Sequence, residues 1–156
     1  MCLTAPEIIS SIIAVGTLFA AGAAWRAAKA TRDAAQANII VEVMRYFTSD
    51  DMRTAGKSLH NYKTQYGDDF VEAFKKSRNE DVDQARRKVK GYHKTIYSLH
   101  INKKISDKIV DTLISDDQLD LLLDIVEPLE HVVVAKTFDG GLFEWEKKVR
   151  ARRNKN

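Results

Sequence analysis

Cysteine is almost absent: Cys2 stands alone in 156 residues. No disulfide framework and no cysteine metal site can be built within the chain. Proline is nearly as scarce, with only Pro6 and Pro128, so little interrupts helix formation. Glycine-rich phosphate loops, a G-x-S-x-G elbow, an H-E-x-x-H helix and Cys–His pairings are all missing. With them go the usual routes to nucleotide, acyl-transfer and zinc chemistry. No alternating apolar run is long enough to demand a strand, although Val132-Val133-Val134 is locally ambiguous. Positive charge is missing from the first 25 residues, where Glu7 is the only charged side chain.

What stands there instead is an uncharged run from Ile8 to Trp25. As a helix it covers roughly 27 Å, close to the hydrocarbon thickness of a bilayer. It reads as a transmembrane helix with Ile8, Ile12, Ile13, Leu18 and Phe19 in lipid and Trp25 at the interface. Arg26, Lys29 and Arg32 follow at once, which keeps the bulk of the chain on the cytoplasmic side of a bacterial inner membrane and the N-terminus outside. Small residues at Ala21-Gly22-Ala23 offer a signal-peptide reading, but the segment before the run has no Lys or Arg. Cys2 precedes the run, which removes the lipoprotein reading. Thr4-Ala5-Pro6-Glu7 is a capping-box pattern for the helix start. Gly16, Ala20 and Ala24 form a smooth strip at four-residue spacing, on which a second copy can approach closely.

The organisation read from the chain is a short external tail (1–7), a transmembrane helix (8–25), an alanine-rich helical stalk (26–38), a helical cytoplasmic domain (39–146) and a basic tail (147–156). Beyond Trp25 there are 25 basic against 21 acidic side chains, a formal +4. That balance suits a neighbour of anionic lipid and is too mild for a dedicated nucleic-acid binder. No helix breaker appears before Thr48, so one helix is expected from Ala5 to about Phe47. Capping residues then open further helices at Ser49, Asp68, Asn79, Ser106 and Ser115. The longest carries Val82, Ala85, Val89, Tyr92, Ile96 and Leu99 in steps of three and four, a bundle-core seam. Pro128 should kink or divide the leucine-rich helix after Ser115, and Asp139-Gly140-Gly141 should turn the chain into a last helix. The fold class is all-α: a transmembrane helix continuing into a long helix, then a cytoplasmic multi-helix bundle.

Three segments carry a resemblance: AQANIIVEVMRYF (Ala35 to Phe47), QARRKVKGYHKTIYSL (Gln84 to Leu99) and DLLLDIVEPLE (Asp120 to Glu130). With the closing phenylalanine turn they look like a family of small bacterial proteins that have one N-terminal membrane helix and a helical cytoplasmic domain. The likeness spans roughly residues 35–146. It implies a fold and a location but no activity, and no catalytic residue carries over.

Candidates for chemistry are few. His93 and His100 lie seven apart on one helix, about 10 Å along its axis, too far to share a metal unaided. No metal and no cofactor is expected. Asp116, Asp117, Asp120, Asp124, Glu127 and Glu130 make an acidic face, and Arg86, Arg87, Lys88, Lys90 and Lys94 a basic one that should pair with it. At the C-terminus, Phe138, Leu142, Trp145 and Val149 recur at helical spacing beside Lys147, Lys148, Arg150, Arg152, Arg153 and Lys155. Either this helix returns to the lipid surface, or its aromatics close the bundle. The preferred function is a membrane-tethered, non-enzymatic interaction module that holds or senses a cytoplasmic protein partner, with a homodimer through the bilayer as an extension. The alternatives are an oligomerising membrane-acting effector of a defence or toxin-like system, and an enzyme using the acidic helix with a bound cation.

Overall fold

The computed structural model describes the backbone of residues 5–134 and 140–154, and the side chains of residues 17, 19–134 and 140–154. Every described element is helical. The chain divides into two units, Met1–Ile39 and Ile40–Asn156.

Helix α1 (Ala5–Phe47) supplies the first unit and the opening of the second. Its extent is the one expected from an alanine-rich sequence without a breaker. It stops where Thr48 turns its hydroxyl onto the Met44 carbonyl at 3.0 Å and Ser49 becomes the cap of the next helix. Every described residue from 19 to 35 is exposed, Phe19 and Trp25 included. Lys29 Nζ sits 5.8 Å over the Trp25 ring. Among the described residues, no helix is long and apolar enough to cross a membrane. Of the expected lipid-facing set, the side chains of Ile8, Ile12, Ile13 and Leu18 lie outside the described residues, as do Gly16 and the Thr4 capping box.

The second unit packs α2 (Asp50–Tyr66), α3 (Phe70–Lys76), α4 (Glu80–Ile101), α5 (Asp107–Leu113), α6 (Asp116–Leu121), α7 (Glu127–Val133) and α8 (Gly141–Arg153). Three starts are set by side-chain oxygens that accept from N–H groups of the first turn: Ser49 from Met52, Asn79 from Val82, and Ser115 from Gln118. At Ser115 the box is complete, because the Gln118 side chain also accepts from the Ser115 N–H at 2.7 Å. Ser106 precedes α5 as expected, yet its hydroxyl makes no cap bond. Asp68-Asp69 belongs to a 3-10 turn (Gly67–Asp69) and α3 begins one residue later. Gly67 permits this by taking φ 55°, a conformation that other residues disfavour.

The seam read on α4 is the core over most of its length: Val82, Ala85, Val89, Tyr92 and Ile96 are buried, with α4 lying against α2, while Leu99 is half-buried. Leu59, Phe74, Leu122, Leu129 and Phe143 fill the remaining interior. Pro128 divides the leucine-rich helix by an unusual route. A π-turn (Leu122–Val126) separates α6 from α7, and Pro128 lies in the first turn of α7. Proline has no N–H to offer the carbonyl four residues back. That carbonyl, on Asp124, instead faces Lys63 Nζ at 3.5 Å. Val132 and Val133 end α7 as helix, which resolves their ambiguity. Phe138 and Asp139 of the expected turn lie outside the described residues.

Candidate functional site

The interior of the second unit holds charge where the seam pattern called for carbon. His93 follows Val89 by four residues and precedes Ile96 by three, so α4 must turn it inward. Glu146 sits between Leu142 and Val149 on α8 for the same reason. Both are withdrawn from water, and His93 Nδ1 lies 2.7 Å from Glu146 Oε1. A carboxylate only accepts, so the tautomer it selects has the proton on Nδ1 and a lone pair on Nε2. Glu146 Oε2 is buried with no hydrogen-bond partner among the described residues. The neighbouring Tyr92 hydroxyl donates to the Leu113 carbonyl at 2.6 Å. Burial, and then the negative charge of Glu146, push its pKa far above the ordinary tyrosine value, so this donor stays protonated.

His93 lines a cavity of about 490 Å³ between α2, α4 and α6. Met52, Val89 and Tyr92 give it a buried apolar lining, with Gln118 as the second buried polar group. Thr48, Arg53, Ser115 and Asp117, all exposed, form its rim. Arg53 is already bonded to Asp50 at 2.6 Å.

A second buried group of charges joins α4 to α7. Arg86 donates to Asp83 through Nε at 2.9 Å and Nη2 at 2.7 Å, while its Nη1 meets Glu130 Oε1. Lys90 Nζ closes on Glu130 Oε2 at 2.5 Å, and Arg87 donates to Asp83 at 2.6 Å. The pairing expected between the acidic face and α4 is confined to this cluster and to Glu130. Four more members of that face pair with α8: Asp120 and Asp124 with Arg150, Asp116 with Arg153, and Glu127 with Lys147 at 2.8 Å. Arg152 bonds Asp107 and Asp111 of α5.

The residues offered for lipid contact are therefore largely occupied within the domain. Trp145 is half-buried, its ring against Tyr97 and His100, and its Nε1 donates to His100 Nδ1 at 3.2 Å. α8 packs on the bundle through Leu142, Val149 and the half-buried Trp145, Phe138 lies outside the described residues, and Lys148 remains an exposed charge. Arg26 and Arg32 are exposed on α1 with Lys29, and Ala20 and Ala24 are uncovered there. Among the described residues, no group of His, Cys, Asp or Glu is placed to hold a metal ion.

Neither histidine–carboxylate pair was foreseen from sequence, since His100 Nε2 also meets Asp107 at 3.0 Å. The available signal was positional: His93, Glu146, Arg86 and Glu130 each occupy a seam position flanked by apolar residues. No family model, curated protein or solved structure matches this chain.

Proposed function

We propose that the protein is a membrane-tethered helical module that holds or senses a cytoplasmic partner at a bacterial inner membrane. The observation that carries this reading is the exposure of α1. Every described residue from 19 to 35 faces outward on all sides, and Phe19 and Trp25 are 74% and 68% exposed. A helix with large apolar groups uncovered needs another environment for them, and the uncharged run that begins at Ile8 is suited to lipid. Arg26, Lys29 and Arg32 follow that run and favour the cytoplasm for what comes after. The resemblance of residues 35–146 to small membrane-anchored bacterial proteins points the same way. Ala20 and Ala24, uncovered on the same helix, suit close contact with a second copy.

The module is proposed to recognise and not to catalyse. The test is topology. A cytoplasm-only fluorescent reporter and a periplasm-only enzyme reporter are fused separately to the C-terminus, and membranes are washed with alkaline carbonate. Fluorescence that stays with the washed membranes is expected. Reporter activity in the periplasm, or release by carbonate, would overturn the tether.

A further inference from the structure

We infer that the cavity beside His93 binds a small, neutral, flat apolar ligand bearing one hydrogen-bond donor, a phenol- or indole-like molecule. Its volume of about 490 Å³ lies within the range of sites for small organic ligands. Met52, Val89 and Tyr92 present a buried apolar lining, which favours a hydrocarbon ring over a sugar or a phosphate. The polar groups in that lining are His93 and Gln118. Because Glu146 accepts from His93 Nδ1, Nε2 is left as an acceptor and asks for an O–H or N–H from the ligand. An anion would be brought close to the buried Glu146 and to Asp117 at the rim, and Arg53 is already tied to Asp50. A cation would exchange its hydration for apolar walls.

A second, independent observation is the glycine at position 56, in the middle of α2 and on the cavity wall. Its backbone φ is not positive, so nothing in the helix calls for glycine. A Cβ there would lie 3.7 Å from Leu121 Cδ2, in ordinary contact. Glycine costs a helix interior about 1 kcal/mol relative to alanine. Gly56 and Leu121 also border the neighbouring groove that contains His60 and Asp124, and a side chain longer than a methyl here would fill space at the cavity wall.

The inference rests on the recognition half of the proposed function and not on the tether, which the topology reporters test separately. Methionine methyl groups of the full chain in detergent micelles are followed by NMR while phenol, indole or toluene is added. Met52 lines the cavity, and Met1 and Met44 serve as internal controls. A saturable shift confined to Met52 is expected with phenol and indole. Toluene, which has the ring without the donor, should bind at least about tenfold more weakly, the worth of one hydrogen bond. Gly56→Leu should abolish the shift while the circular dichroism stays helical. His93→Gln, which can still bond Glu146, should bring phenol and toluene within about threefold of each other. A Met52 signal that ignores phenol and indole, or responds equally to toluene, would overturn the inference. So would undiminished binding in a folded Gly56→Leu protein, which does not depend on how His93→Gln folds.

Discussion

Glu146 Oε1 lies 2.7 Å from His93 Nδ1, tying the middle of α8 to the middle of α4 inside the apolar core. The bond holds the C-terminal helix on the bundle at a point where hydrocarbon would have served for stability alone. Removing one partner leaves the other buried and unpaired, which costs more than the bond contributes. Glu146→Ala should therefore lose about 3 kcal/mol, the upper end for leaving a buried donor unsatisfied. Glu146→Gln should lose only about 1 kcal/mol, because its carbonyl still accepts from Nδ1. Urea unfolding followed by circular dichroism separates the two. Equal losses in both variants would mean that packing, and not the hydrogen bond, sets the effect.

The cluster around Arg86 gives the domain a dependence on acid. Burial pushes the Asp83 carboxyl up, but hydrogen bonds and charge from Arg86, and then from Arg87, hold it below the usual carboxylate range. A group whose folded value is depressed stabilises fully above its unfolded value, about 3.9, and the contribution fades as pH falls through the folded value. Asp83→Asn should thus be less stable at neutral pH by about 1–3 kcal/mol. Its stability should also fall less steeply than that of the parent below about pH 4. Denaturant midpoints collected across that range give the comparison. Parallel curves for parent and variant would exclude Asp83 as the source.

Much of this fold could be read from the residues, because caps and seams are local. Ser49, Asn79 and Ser115 announce helices through one oxygen each, and the steps of three and four along α4 name its buried face. The partners of charged residues could not be read, because pairing depends on which helices come together. Arg150 and Arg153 look like a frayed basic tail until α8 is laid against Asp116, Asp120 and Asp124. The acidic face seemed as well matched to α4, and only Glu130 went there. His93 and Glu146 are 53 residues apart, and nothing at either position names the other.

The contact between Trp145 and His100 should report on the seating of α8. Trp145 Nε1 donates to His100 Nδ1 at 3.2 Å, and His100 Nε2 lies 3.0 Å from Asp107. With Trp25→Phe, Trp145 is the remaining tryptophan. Its emission maximum should move in His100→Phe, which keeps a ring beside the indole and removes the acceptor. An unchanged maximum would mean that the indole N–H is not bonded to His100.

Lys103 closes α4 in a conformation that a lysine adopts at a cost. Its φ is 56°, the left-handed region, and it is the one non-glycine residue there among those described. The surrounding bonds form a Schellman cap: the Lys104 N–H reaches the Leu99 carbonyl at 2.8 Å and the Lys103 N–H the His100 carbonyl at 2.9 Å. Those bonds satisfy two carbonyls at the helix end, so the chain accepts the strained residue to keep them. A left-handed non-glycine residue costs roughly 1–2 kcal/mol, and glycine removes that strain but adds freedom to the unfolded chain. The net gain for Lys103→Gly should be about 0.5–1 kcal/mol, and Lys103→Val should lose stability, because a β-branched side chain is worse in this region. Both changes leave the buried pairs untouched and remove the same exposed charge, so thermal midpoints of the two variants compare the backbone at this position. A Lys103→Gly protein less stable than its parent would mean that the lysine side chain contributes more than the strain it imposes.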